Sequence, residues 1–200
     1  MKQLVTKKII ILLILCGILF FRCATEHADN PTFRFVFMTD VHLQPEKGAV
    51  EGLKTAIDSI NTLNPKPDFV ITGGDLIFDA LKQNVKRADS LYTLFQNTID
   101  LLQMPVYHTI GNHDIFGVNT AAGVAKDHPE FGKKMFAKRL GQNKIYRSFD
   151  YQNWHFVLLD AMTLDPEKDY IGKIDSTQIE WLKDDLKSID PQTAVVFVTH

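Results

Sequence analysis

Short apolar runs rich in Phe, Val and Ile recur along the chain at Phe33–Thr39, Phe69–Thr72, Val106–Ile110, Tyr146–Tyr151, Trp154–Asp160 and Ala194–Val198. Each has strand length and is bounded by polar or turn residues, which predicts buried β-strands. The stretches between several of them carry helical spacing instead. Ala49–Leu63 places Val50, Leu53, Ile57 and Ile60 on one face and stops at Asn64-Pro-Lys-Pro67. Asn84–Leu102 does the same with Leu91, Leu94, Phe95, Ile99 and Leu102, and Thr177–Lys187 is a helix introduced by Asp175-Ser176. Ile115–Lys144 is less regular and partly helical around Glu130–Leu140. Only Gln152-Asn153 separates the fourth and fifth runs, which predicts a hairpin. The first half reads β-α-β-α-β, the pattern of a parallel sheet with right-handed crossovers.

Polar clusters stand at the ends of four of these runs: Asp40-Val-His42, Gly73-Gly74-Asp75, Gly111-Asn112-His113-Asp114 and Thr199-His200. In open α/β sheets, ligands bind beyond the carboxyl ends of the strands. Carboxylates, imidazoles and an amide delivered there from four strands converge. Oxygen and nitrogen donors without thiolate suit Mn, Fe or Zn rather than a soft-metal or structural cysteine site. Alternate residues of an extended segment share a face, so Asp40 and His42 project together. Glycines before Asp75 let the backbone turn tightly and approach an ion.

The series D-x-H, G-G-D, G-N-H-D and V-T-H, in this order and spacing, resembles the calcineurin-like metallophosphoesterase superfamily from about Phe33 to His200. Tyr146-Arg-Ser-Phe-Asp-Tyr151 and Trp154-His-Phe-Val-Leu-Leu-Asp160 are similar to segments of its secreted phosphatase-like members. The resemblance implies an α/β fold, a sandwich of two β-sheets flanked by helices. It implies two divalent metal ions, one held by Asp40 and His42, the other by Asn112 and His200, with Asp75 bridging. It further implies hydrolysis of phosphate mono- or diesters by a metal-bridging hydroxide. His113 would face the substrate as a catalytic group rather than a ligand, with Asp114 orienting its ring. Two ions about 3.5–4 Å apart can clamp a phosphate and lower the pKa of water. The superfamily's closing G-H-x-H motif is not found, so the resemblance leads us to expect further C-terminal strands beyond this sequence. Phe78 stands where purple acid phosphatases carry a tyrosine, which disfavours a ferric–tyrosinate site. A non-catalytic binding module that kept the fold is the alternative. The intact motifs favour catalysis.

Composition adds the setting. Formal net charge is −2 and 45% of residues are hydrophobic, ordinary for a globular domain at residues 29–200. No basic stripe with interleaved aromatics points to nucleic acid. Lys126, Lys133, Lys134, Lys138, Arg139, Lys144 and Arg147 cluster between Ile115 and Arg147, against Asp127 and Glu130. They either draw anionic substrate toward the site or form a solvated helix face. Lys2, Lys7 and Lys8 precede the apolar run Ile9–Phe21, so residues 1–28 read as a signal peptide or lipoprotein signal with a short linker. Cys23 is the candidate lipid-bearing residue, although Arg22 precedes it, and Cys16 lies within the apolar run. The expectation is an exported protein, periplasmic, extracellular or lipid-anchored, acting on a small or lipid-linked phosphate ester. His108 and His155 read as core histidines, Asp160 as structural, and His27 and His128 as solvent-facing.

Overall fold

The central strand of the first sheet is buried on both faces, and the two cores it separates organise the molecule. The computed structural model describes residues 32–200. The expectations for residues 1–28, Cys23 and His27 included, lie outside the described residues. Strands β1 (Phe35–Met38), β2 (Phe69–Gly73) and β3 (Val106–Thr109) form a parallel sheet in that order, with Val36 beside Val70 and Val70 beside Val106. Strands β4 (Arg147–Tyr151) and β5 (Trp154–Leu158) make the expected antiparallel hairpin. Strands β6 (Met162–Asp165) and β7 (Asp169–Gly172) form a separate two-stranded hairpin, and β8 (Ala194–Val198) runs parallel to β5. The helices are α1 (Ala49–Asn61), α2 (Val85–Ile99), α3 (Lys134–Arg139) and α4 (Ser176–Lys187). None of the described helices is long and apolar enough to cross a membrane.

Val70 of β2 packs with Leu53, Ile57 and Ile60 of α1 and with Leu91, Tyr92, Phe95 and Ile99 of α2. Burying each such apolar side chain is worth about 1.5–3 kcal/mol. Phe69 and Ile71, on the opposite face of β2, pack with Phe156 and Leu158 of β5 and Val198 of β8. Aromatic rings fill that inter-sheet layer. Phe69 meets Phe156 at 5.2 Å, and Tyr107 of β3 stacks on Phe149 of β4 at 3.8 Å. Asn84 caps α2 by accepting the Arg87 N–H at 3.0 Å, and Asp175 caps α4 by accepting that of Gln178 at 2.8 Å. The result is the expected α/β sandwich of two sheets flanked by helices.

Several expectations need correction. Between Ile115 and Lys144 the helix shrinks to α3, because the chain before Lys133 runs in turns and Gly132, at φ 71°, bridges to Phe116. The hairpin of β6 and β7 was not legible in the apolar pattern. Its strands are four residues long, and side-chain bonds hold it, with Asp165 accepting the Glu167 and Lys168 N–H groups at 2.9 Å. Lys133 is not available to draw substrate. Its ammonium turns inward to the buried Asp160 carboxylate and the Met162 carbonyl. Lys138 pairs with Glu130 at 2.5 Å, and Arg139 pairs with Asp89. His128 is half-buried, 5.5 Å from the Phe116 ring, rather than solvent-facing.

Asp160 and His155 hold the outer helix. The Asp160 N–H donates to Gln178 Oε1 at 2.9 Å, and Gln178 Nε2 donates to the Asp160 carbonyl at 2.7 Å. His155 on β5 lies between Asp150, 2.6 Å from Nδ1, and Asp185 of α4, 2.8 Å from Nε2. Burial alone would lower its pKa, but the two carboxylates together outweigh burial and raise it. A raised folded-state pKa stabilises the fold fully below the unfolded value of about 6.5 and loses that contribution as pH rises through the folded value. Urea unfolding of wild type and His155→Gln should therefore show a stability gap that is widest at mildly acidic pH and closes at higher pH.

Candidate metal centre

Pairing between β1 and β2 does not stop where the strands end. The Asp40 N–H donates to the Gly74 carbonyl at 3.1 Å, His42 to Asp75 at 2.9 Å and Leu43 to Leu76 at 3.0 Å, and Phe78 returns a bond to Leu43 at 3.0 Å. Asp40, His42 and Asp75 lie along this paired extension at φ 55°, 46° and 51°. Left-handed backbone at non-glycine residues is uncommon and costs about 1–3 kcal/mol each where it is enforced, and it clusters at functional sites.

Glycines let the two loops meet. A Cβ on Gly111 would stand 2.2 Å from the Asp75 nitrogen, and one on Gly74 would stand 2.8 Å from His200 Nδ1. Real Cβ atoms do not approach so closely, so only glycine permits Asp75 to sit against the turn after β3 and His200 against the loop after β2.

Hydrogen bonds aim the donors. The His113 N–H holds Asp75 Oδ1 at 2.9 Å, leaving Oδ2 directed at the histidines. Asp75 Oδ2 lies 3.4 Å from His200 Nε2, 3.6 Å from His42 Nε2 and 4.0 Å from His113 Nε2. His200 Nδ1 donates to the Gly73 carbonyl at 2.9 Å, and His113 Nδ1 donates to the Phe78 carbonyl at 2.5 Å. A carbonyl can only accept, so each ring carries its proton on Nδ1 and presents the Nε2 lone pair. Thr39 donates its hydroxyl to Asp40 Oδ2 at 2.7 Å, leaving Oδ1 3.9 Å from His42 Nε2. Asn112 opens the 3₁₀ turn Asn112–Asp114 beside them.

Two overlapping groups have the make-up of a cation site: His42 with Asp75 and His113, and Asp40 with Asp75 and His200. Asp75 is common to both. No hydrogen-bond donor among the described residues reaches its Oδ2, although the side chain is only 6% exposed. A shared, buried carboxylate oxygen ringed by imidazole lone pairs fits divalent cations.

Asp114 departs from the expected arrangement. Its carboxylate does not bond the His113 ring, which is oriented by the Phe78 carbonyl. Instead it is fully buried and accepts the N–H groups of Leu76 at 2.9 Å, Ile77 at 3.3 Å and Gly111 at 2.8 Å. Burial raises its pKa to about 7, against the pull of the Gly111 N–H. Tyr92 on α2 donates its hydroxyl to the Asp114 carbonyl at 2.5 Å. Sequence reasoning missed this contact, though a tyrosine on the apolar face of a helix signals one, because a buried phenol needs a partner.

A family model described as calcineurin-like phosphoesterase matches residues 33–200, and the chain belongs to that family. It is similar to a 3′,5′-cyclic-nucleotide phosphodiesterase of Nostoc sp., 25% identical over 170 residues, covering 82% of this chain and 54% of that protein. It is also similar to a probable glycerophosphodiester phosphodiesterase of Arcobacter nitrofigilis, 26% identical over 150 residues, covering 75% and 48%. The chain thus spans about half the length of these two relatives. A dimetal phosphatase from Danio rerio shares the fold at TM-score 0.58 and 16% identity, covering 85% of this chain and 70% of that one.

Gly111→Ala should therefore disrupt the centre. We expect divalent-metal affinity, measured by calorimetry, to fall with thermal stability. Gly52→Ala, where nothing lies within 4 Å of the added Cβ in α1, should leave metal affinity intact. That helical glycine-to-alanine change should stabilise the fold by about 0.5–1 kcal/mol.

Proposed function

We propose that this centre binds two divalent cations and hydrolyses small phosphodiesters. The observation that carries the reading is Asp75 Oδ2 with the Nε2 atoms of His200, His42 and His113 within 4.0 Å of it. By the family's pattern Asp40 and His42 would hold one ion and Asn112 and His200 the other, with Asp75 shared, whereas the donor atoms group His42 with His113 and Asp40 with His200 around Asp75. Mn, Fe and Zn all suit the donors. When bound, such a pair activates water and stabilises charge on the phosphoryl oxygens.

The chain's own residues do the rest. His113 is 37% exposed with its ring pinned through Nδ1, so Nε2 is free to take up a proton, and the imidazolium so formed can donate it to the leaving oxygen or hydrogen-bond a phosphoryl oxygen. Asp114 is a positioning residue that locks the loops after β2 and β3 together. The two relatives support a diester substrate, since both are named as phosphodiesterases. We propose as well that residues 1–28 direct export, with Cys23 as a lipid tether. The basic head and apolar run support this. Loss of membrane association in Cys23→Ser, read by fractionation, is the expected result.

Metal analysis beside kinetics on the intact, metal-loaded protein tests the site. Asp75→Asn should lose both metal and activity on bis(p-nitrophenyl) phosphate. His113→Ala should keep its metal and lose turnover by about 10²–10⁴-fold, the usual contribution of general acid–base catalysis. If His113→Ala strips an ion, His113 is a ligand rather than the proton-bearing group.

A further inference from the structure

Between α4 and the start of β4 with the loop before it, the surface opens into a cavity of about 580 Å³, in the size range of small-molecule sites. Lys144, Tyr146, Arg147 and Trp181 line it, and no residue of the metal centre does. Arg147 is half-buried. Its guanidinium lies 5.7 Å from the Tyr107 ring centroid and donates to Gln142 Oε1 at 2.9 Å. Among the described residues no carboxylate pairs with Arg147 or Lys144. Asp185 also lines the cavity, but its oxygens already accept the Ser148 hydroxyl at 2.7 Å and face His155 Nε2 at 2.8 Å. Neither cation therefore has a carboxylate bonded to it, and burial lowers the pKa of Arg147. Beside them, Trp181 of α4 leans on Tyr146 at 4.8 Å, an aromatic wall.

We propose that this cavity is a second ligand site, separate from the metal centre, for an aromatic phosphate monoester. The phosphate dianion engages the planar fork of Arg147 and the ammonium of Lys144, and a flat ring packs on Trp181 and Tyr146. Two cations against Asp185, the one carboxylate in the lining, leave the cavity net positive for an anion. The aromatic wall distinguishes such a ligand from free phosphate.

Trp181 can report on its own site, because the sequence has only two tryptophans. In a Trp154→Phe background of the full chain, stripped of metal with chelator, titration with adenosine monophosphate should give saturable quenching of Trp181 fluorescence. Adenosine alone and inorganic phosphate alone should bind more weakly. Arg147→Gln and Lys144→Gln should each weaken binding about tenfold, the scale of one charge-assisted hydrogen bond. Arg147 also packs on Tyr107, so circular dichroism checks that its variant folds. Lys144→Gln, on an exposed side chain, decides the matter if it does not. No saturable change, or unchanged affinity in Lys144→Gln, overturns the proposal. Equal affinity for adenosine and adenosine monophosphate does so as well.

Discussion

The carboxylate of Asp114 is the interaction on which the arrangement of the centre depends. It belongs to the turn after β3 but accepts two N–H groups from the loop after β2, at Leu76 and Ile77, and one from its own turn at Gly111. Backbone pairing carries β1 and β2 on into their loops, but the ladder between β2 and β3 ends at Gly73 and Thr109, before the functional loops begin. Asp114 continues that tie through a side chain with no water around it, where an unsatisfied donor would cost about 1–3 kcal/mol. Tyr92 extends the same lock to α2 through the Asp114 carbonyl. Asp75, His113 and the glycines can then approach one another at distances set by backbone rather than by flexible side chains.

Much of this was legible before any coordinates. Strands with four or more consecutive β-forming residues, such as Phe69–Gly73 and Ala194–Val198, declared themselves by apolar continuity, and the helices at Ala49 and Val85 by apolar spacing. The convergence of polar clusters followed from the parallel order of the strands. What escaped detection depends on single contacts between distant residues. Nothing local distinguishes Lys133 from Lys134, yet one neutralises a buried aspartate and the other is exposed. The sequence pairs Asp114 with its neighbour His113, whereas the fold delivers it to residues 37 and 38 positions away. The β6–β7 hairpin is too short for periodicity to register and is held by side-chain bonds.

Membership of the calcineurin-like phosphoesterase family rests on residues 33–200, and the centre described here lies within that stretch. The two sheets contribute unequally to it. The first sheet supplies most of the donors through paired loops, while the second supplies His200 from the end of β8 and presses it against Gly74. The aromatic layer between the sheets therefore sets the position of one donor relative to the others.

The left-handed backbone at Asp40, His42 and Asp75 has an evolutionary consequence. Outside glycine, that conformation is best tolerated by aspartate, asparagine and histidine. The acidic and imidazole side chains that suit a hard or borderline cation are thus also those the backbone accepts. Glutamate offers the same oxygen donors, but it meets both a longer reach and a less tolerant backbone. The set of neutral substitutions around the centre is correspondingly narrow. Exchanges among Asp, Asn and His are the ones this backbone accepts at the three positions, so changing the donor type costs the fold less than relocating the donors.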